Sequence, residues 1–226
     1  MKKPKKKISK VTSDQLKAKL KQVSENESEN NRIRLHRAIS WLKCAEEQSD
    51  IPDLKFITLW ISFNACYAEA YNEEFTEKER FREFVKKLVE HDSQELFFNI
   101  LWNKFSGPVR LLIENQYAYK YFWAAQRNNN IEWEKSLNKS IKNSNYYLVN
   151  NEIDKLLEVV LDRLYTVRNQ LLHGGATYKS KVNRSQVKDA SNILEFLMPV
   201  IIDIMITKIN DDWGDIKYPV VNYVPK

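Results

Sequence analysis

The chain has 226 residues, of which 43% are apolar and 29% are charged. This composition predicts a soluble globular protein with a sizeable core and excludes a chain that is disordered throughout. Four glycines and six prolines are too few turn-forming residues for a β-sandwich, a β-barrel, a collagen or a glycine-rich dinucleotide-binding fold. The sequence therefore predicts long helices joined by few connections.

The positive charge of the chain is concentrated at its start. Of the 36 basic residues, six lysines fall within residues 1–10, which leaves 30 basic against 30 acidic residues in the rest of the chain. The net charge of +6 thus belongs to the first residues, and a neutral body argues against tight, non-specific binding to RNA. We expect residues 1–30 to form a basic, disordered tail and linker that contains a short helical pattern.

Two cysteines and the hydropathy pattern bear on the location of the protein. Cys44 and Cys66 lie within apolar helical patterns, which predicts buried free thiols in a reducing compartment. We expect no membrane span, because no apolar run is long enough, and no signal peptide, because the charged start lacks an apolar region. These features predict a cytoplasmic protein.

The spacing of apolar residues predicts an all-α fold. Helical periodicity occurs in ten segments, which are 13–23, 32–48, 53–71, 76–90, 93–104, 108–115, 117–127, 131–142, 151–173 and 185–210. Residues 56–71 are apolar nearly all round, which predicts a buried central helix. We interpret 31–210 as one helical bundle of two antiparallel helix pairs, with a variable insertion of short helices at 73–150, followed by an irregular tail at 211–226.

Three histidines are candidates for chemistry. His36 and His91 have no partner at metal-ligand spacing, so a surface or capping role is the better interpretation of each. No cysteine–histidine set supports zinc, and no glycine-rich phosphate loop is present, so we expect neither a metal nor another cofactor. The aromatic residues, 12% of the chain, are more typical of a core than of an RNA-stacking platform.

His173 differs from the other two histidines because it ends a helix with a polar wedge. Tyr165, Asn169 and His173 recur every four residues on one face, and Arg168 lies about 100° from Asn169 around the axis. An arginine can bind a phosphate with two hydrogen bonds, a histidine can transfer a proton, and Asn169 can orient the imidazole or the phosphate. These are the minimum parts for metal-independent cleavage of RNA. The alternative is that Arg168 pairs with a carboxylate of the bundle and His173 only caps its helix.

Segment 168–174, RNQLLHG, places a histidine five residues after an arginine, with the polar Asn169 beside the arginine. This resembles the R-x4-6-H motif of the HEPN (higher eukaryotes and prokaryotes nucleotide-binding) superfamily. RLHRAISWLKCAEE at 34–47 and FITLWISFNACYAEAY at 56–71 resemble the first and second helices of a bacterial HEPN group. With the order of helix pair, insertion, motif helix and final helix, the resemblance covers most of residues 32–210.

The resemblance implies a ribonuclease of a toxin–antitoxin or phage-defence system that acts on RNA as a homodimer with its two motifs facing one cleft. It implies that His173 is the general acid or base, that Arg168 stabilises the phosphate, and that cleavage leaves a 2′,3′-cyclic phosphate without a metal. Asn64 is expected to support the motif, or else to make a helix–helix hydrogen bond. Other members of the superfamily keep the fold without catalysis and bind nucleotides or partners.

The resemblance also implies a partner, either an antitoxin or a nucleotidyltransferase. In some toxins of the superfamily, the nucleotidyltransferase modifies a tyrosine two residues after the motif histidine. This chain has Gly175 at that position, and its next tyrosine is Tyr178, which argues against that mode of silencing.

Overall fold

The computed structural model describes residues 11–23, 28–48, 50–68, 77–128, 131–181 and 184–221. In these ranges the protein is built from helices, which confirms the predicted all-α class. The helices are α1 (Ser13–Lys21), α2 (Glu29–Glu47), α3 (Pro52–Tyr67), α4 (Glu77–His91), α5 (Leu96–Lys104), α6 (Arg110–Glu114), α7 (Lys120–Arg127), α8 (Trp133–Val149), α9 (Ile153–Leu172) and α10 (Arg184–Thr207). A π-helical turn, Phe105–Val109, joins α5 to α6.

Helices α2 and α3 form an antiparallel hairpin. The hydroxyl of Ser62 donates to the carbonyl of Ala38 at 2.7 Å, and Nη1 of Arg34 donates to the carbonyl of Cys66 at 2.7 Å. The later residue of α2 contacts the earlier residue of α3, so the two helices run in opposite directions. Helix α3 is buried nearly all round, as its apolar sequence predicts, and its fully buried residues are Phe56, Ser62, Phe63 and Cys66.

Helix α10 lies at the centre of the fold and contacts α1, α2, α3, α4, α5, α6 and α9. By length and composition this helix is apolar enough to cross a membrane. The expectation that no apolar segment is long enough for a membrane span was therefore wrong for this helix. However, 72% of its most apolar window is buried inside the protein. This burial is typical of the core helix of a soluble protein.

The segment predicted as an insertion contributes directly to the core. Leu101 of α5 and Leu112 of α6 are fully buried within the same hydrophobic cluster as α9 and α10. The predicted break after residue 142 was wrong, because α8 continues to Val149. Burial of Leu148 on the core side holds this asparagine-rich stretch in a helix, while Nδ2 of Asn145 donates back to the carbonyl of Ile141 at 3.1 Å.

Both ends of the described chain pack more closely than the sequence predicted. The short helix predicted at 13–23 forms as α1, and it packs on the rest of the protein: Leu16 is fully buried, and the backbone N–H of Ser13 donates to Glu46 at 3.0 Å. At the other end the backbone beyond α10 is irregular, as predicted, but Trp213 is only 3% exposed. The lysine-rich start at 1–10 and the linker residues 24–27 lie outside the described residues.

A buried arginine connects the α2–α3 hairpin to the C-terminal segment. Arg34 is 1% exposed, and its Nη2 donates to the carbonyl of Gly214 at 2.7 Å, in addition to the bond with Cys66 described above. A buried guanidinium that reaches two carbonyl groups fixes the distance between the elements that carry them.

We predict that Arg34→Met lowers the free energy of unfolding by about 2–4 kcal/mol, because two buried carbonyl groups lose their donor. Urea denaturation followed by circular dichroism measures this loss. Arg37→Met is the matched control, because Arg37 lies on the same helix and bonds the carbonyl of Tyr218 at an exposed position. Equal losses in the two variants would contradict the structural role of Arg34.

Candidate functional site

The candidate site lies on the polar side of α9, whose opposite side is held in the core. Apolar residues three and four positions apart bury one face of this helix, and they are Leu156, Leu157, Val160, Leu161, Leu164 and Val167. Of the polar wedge predicted from the sequence, Tyr165 and Asn169 leave the helix away from this face, the first exposed and the second half-buried, whereas Arg168 projects close to the angle of Leu161 and is half-buried. Core packing therefore fixes the direction in which these side chains leave the helix.

The helix ends where the sequence predicts, in a Schellman motif. His173 is the C-cap, and Gly174 adopts φ +71°. The N–H of Gly175 donates to the carbonyl of Gln170 at 2.7 Å, and the N–H of Gly174 donates to that of Leu171 at 3.3 Å. This pair of bonds defines the motif and requires a left-handed residue at position 174.

Arg168 is held by its two neighbours on the wedge. Its Nη1 donates to Oδ1 of Asn169 at 2.8 Å, and its guanidinium carbon lies 5.7 Å from the centre of the Tyr165 ring. The Tyr165 ring in turn lies 6.1 Å from that of Trp60 on α3. A cation this close to an aromatic ring is attracted to its face, so the guanidinium is oriented before any ligand arrives.

Among the described residues, no carboxylate forms an ion pair with Arg168, and its Nε–H is buried without an acceptor. The described residues therefore do not form the alternative arrangement, in which Arg168 pairs with a carboxylate of the bundle. A guanidinium whose positive charge is unpaired is suited to an anionic ligand.

His173 is exposed to solvent. Its backbone N–H donates to the carbonyl of Asn169 at 3.0 Å, whereas its imidazole has no hydrogen-bond partner in the described part of the chain. Five residues at about 100° each place Arg168 and His173 about 140° apart around the helix axis. The two side chains therefore leave α9 on different sides and do not converge through helix geometry alone.

Asn64 lies apart from the other predicted site residues. It is half-buried on α3. Helix α3 runs antiparallel to α9, because Trp60 lies beside Tyr165 and the later residue Tyr67 lies beside the earlier segment around Glu158. Asn64 lies between Trp60 and Tyr67 along α3, so its position is level with the middle of α9 rather than with its end. In the described ranges no hydrogen bond joins Asn64 to the wedge, and its supporting role remains a prediction.

The other two histidines lie outside the site. His36 is exposed on α2. His91 ends α4, where its Nε2 lies 2.5 Å from Oδ2 of Asp211 and its ring contacts that of Trp213 at 5.7 Å. Within the residues that the structure covers, no three histidine, cysteine, aspartate or glutamate side chains cluster as a metal site would require.

A cavity of about 810 Å³ opens along α9, on the side of Tyr165 away from the helix end. Its aromatic lining comes from five parts of the chain, and the residues are Tyr67, Phe81, Tyr119, Tyr121, Tyr147 and Tyr165. Sequence reasoning missed this cavity because it assigned the aromatic residues to the core. No local pattern marks it, since α3, α4, α7, α8 and α9 each contribute a part.

Charged residues around this cavity are engaged with one another. Nζ of Lys120 lies 2.8 Å from Oδ1 of Asp162, and Nε of Arg82 lies 3.1 Å from Oε2 of Glu158. The guanidinium of Arg163 is 1% exposed and stacks 4.2 Å from the centre of the Tyr119 ring. Burial lowers the pKa of Arg163 from its ordinary value.

A second cavity of about 240 Å³ lies under the end of α9. There Gln186 donates to Oε1 of Gln170 at 2.6 Å, and Gln170 donates to the carbonyl of Tyr117. Arg184 and Asp53 close the other wall with two parallel contacts, and this pairing raises the pKa of Arg184. Gln170 thus anchors the end of α9 to α10 and to the segment before α7, and the Arg184–Asp53 contacts join α10 to α3.

Comparison of the chain with protein-family models, with curated proteins and with solved structures finds no match. The functional conclusion therefore depends on the residues and the geometry described above, together with the resemblance seen in the sequence.

We predict that Gly174→Ala destabilises the protein by about 1 kcal/mol, because a side chain at positive φ is strained. Gly174→Asn should cost less, since asparagine tolerates the left-handed region better than alanine does. Chemical denaturation of the three proteins gives the order directly. An alanine variant as stable as the parent would show that the end of α9 does not depend on this conformation.

Proposed function

We propose that the protein is a metal-independent endoribonuclease of HEPN type in which Arg168 and His173 act on the RNA backbone. The observation that carries this proposal is that the end of one helix bears both an exposed imidazole and a pre-oriented guanidinium that has no carboxylate partner among the described residues. Two further features agree with the resemblance in sequence. They are the antiparallel α2–α3 hairpin and the position of the motif at the end of a long helix.

In the proposed reaction the 2′-hydroxyl of the RNA attacks the adjacent phosphorus. His173 takes the proton of that hydroxyl as general base, or delivers a proton to the leaving 5′-oxygen as general acid. Arg168 binds the non-bridging oxygens and stabilises the negative charge of the phosphorane. One P–O bond forms and one breaks, so the products are a 2′,3′-cyclic phosphate and a 5′-hydroxyl.

The angle between the two side chains supports a site shared by two copies of the chain. Because Arg168 and His173 leave α9 about 140° apart, a single helix does not direct both groups at one phosphate. In a homodimer whose two α9 ends face each other, an arginine of one copy and a histidine of the other would meet in a common cleft. We propose this homodimer as the active form of a cytoplasmic protein that acts as a toxin or in phage defence. If it is a toxin, we expect an antitoxin as its partner.

A second candidate is a catalytically inactive HEPN module that binds a nucleotide, RNA or a protein. The contact that favours it is the bond from Arg168 to Asn169 at 2.8 Å, since a guanidinium already engaged by its neighbour has fewer donors for a reacting phosphate. The two candidates differ in whether RNA is cut.

We predict that the purified protein cuts single-stranded RNA in the presence of EDTA, and that His173→Ala lowers the rate at least a hundredfold, in line with a loss of about 10²–10⁴ for a proton-transfer group. His36→Ala is the matched control, because His36 is also exposed but lies on α2. Gel analysis of labelled RNA with circular dichroism of each variant separates loss of catalysis from unfolding. Intact RNA with the parent protein across varied substrates would favour the inactive module.

We predict that Arg168→Ala also abolishes cutting, and that Arg168→Lys restores little, because lysine cannot reproduce the planar two-bond contact with phosphate. Arg110→Ala serves as the control, since Arg110 is an exposed arginine on α6. Mass spectrometry of the 3′ product reports the 2′,3′-cyclic phosphate. A linear phosphate formed directly would argue against attack by the 2′-hydroxyl.

A further inference from the structure

The cavity beside α9 has the size and lining of a site for a flat aromatic ligand. Its volume of about 810 Å³ lies within the range of about 300–1,000 Å³ that is usual for small-ligand sites. Six aromatic side chains line it; Tyr121 at 45% and Tyr165 at 38% are exposed, and Tyr147 is partly exposed. Exposed rings around a cavity can stack on a ligand, whereas core rings cannot.

The charges of the lining favour an anionic ligand over a neutral or cationic one. Four cationic side chains line the cavity, Arg82, Lys120, Lys155 and Arg163, against two carboxylates, Glu158 and Asp162. The lining residues sum to two positive charges, four minus two, but Glu152 beside the lining pairs with Lys155, so the excess around the cavity is one positive charge. Aromatic rings beside an excess of cations are typical of surfaces that bind single-stranded nucleic acid.

The cations of the cavity do not form a phosphate site of their own. Lys120 is paired with Asp162, and Nζ of Lys155 lies 2.6 Å from Oε2 of Glu152, a bond that raises the pKa of Lys155. Arg163 is buried and bonds Oγ of Ser140 at 3.0 Å. A phosphate attached to a base in the cavity must find its main partner elsewhere.

The ring of Tyr165 joins the cavity to the candidate catalytic residues. The ring lines the cavity and also contacts the guanidinium of Arg168, whose carbon lies 5.7 Å from the ring centre. Trp60 supports the same ring from α3 at 6.1 Å. A base in the cavity and a phosphate at Arg168 would therefore both neighbour this one aromatic side chain.

We propose that this cavity holds one unpaired base of a single-stranded RNA, stacked on Tyr121 and Tyr147, while a neighbouring phosphodiester lies at Arg168. The proposal rests on the proposed function and deepens it by naming the substrate class as single-stranded. A base within a duplex is stacked and paired, so it does not reach such a cavity without being extruded. The cavity thereby selects unpaired RNA.

The test measures binding without cleavage, with a fluorescently labelled single-stranded RNA and the full-length His173→Ala protein. Tyr121→Ala and Tyr147→Ala, each added to that background, should weaken binding by about five- to a hundredfold, as expected for loss of one stacking partner. Tyr121→Phe should bind like the parent, because stacking needs the ring and not the hydroxyl. Tyr146→Ala is the matched control, since Tyr146 neighbours Tyr147 on α8 but is 58% exposed and does not line the cavity.

The dependence of affinity on salt distinguishes stacking from a charge effect. The tyrosine variants should leave the slope of log Kd against log salt unchanged, whereas Arg168→Ala should reduce it. A duplex RNA of the same sequence should bind more weakly than the single strand. Equal binding of duplex and single strand, or alanine variants that bind like the parent, would overturn the proposal.

Two further outcomes separate this proposal from the nuclease hypothesis. If the tyrosine variants weaken RNA binding but the parent protein cuts no RNA, the base site stands and the nuclease fails. If the parent cuts RNA, and the same tyrosine substitutions made in the parent with His173 intact leave KM unchanged, the nuclease stands and the base site fails. Adenosine monophosphate that binds as tightly as the RNA would identify a site for free nucleotides and overturn the assignment to RNA.

Discussion

The geometry of the candidate site depends on the way in which α9 ends. The bond from the N–H of Gly175 to the carbonyl of Gln170, at 2.7 Å, closes the last turn and leaves His173 in solvent. Gln170 also bonds through its side chain to Gln186 and to the carbonyl of Tyr117. One residue therefore ties the helix end both to its own cap and to the surrounding helices, so the histidine is placed on a rigid support.

The second constraint is the aromatic contact between α3 and α9. Trp60 packs on Tyr165 at 6.1 Å, and Tyr165 carries the guanidinium of Arg168. Because Trp60 is 3% exposed, the position of the arginine is linked to the packing of the core. The same ring borders the cavity, so the core, the proposed phosphate site and the proposed base site share one side chain. Arg34 has a comparable structural role between the α2–α3 hairpin and the C-terminal segment, where its guanidinium bonds two carbonyl groups.

Prediction from sequence succeeded where local patterns dominate and failed where distant contacts decide. The end of α9 at Gly174 was predicted correctly, because a left-handed C-cap is a property of the glycine itself. The break predicted after residue 142 was wrong, because asparagine has only a modest helix penalty and burial of Leu148 outweighs it. The short helix predicted at 13–23 within the basic tail forms as α1, and Leu16 and Leu20 dock it on the core, which stabilises a helix that would be unstable in isolation.

The sequence by itself determined the all-α class, the helical phase of α9 and the grouping of Tyr165, Arg168, Asn169 and His173 at its end. These properties follow from the 3.6-residue period and from glycine stereochemistry, both of which act within a few residues. Only the tertiary structure decided that Arg168 has no carboxylate partner in the described part of the chain, that His173 is open to solvent, and that a cavity adjoins Tyr165. Each of these depends on side chains from helices far apart in sequence, whose contacts form only when the core is packed.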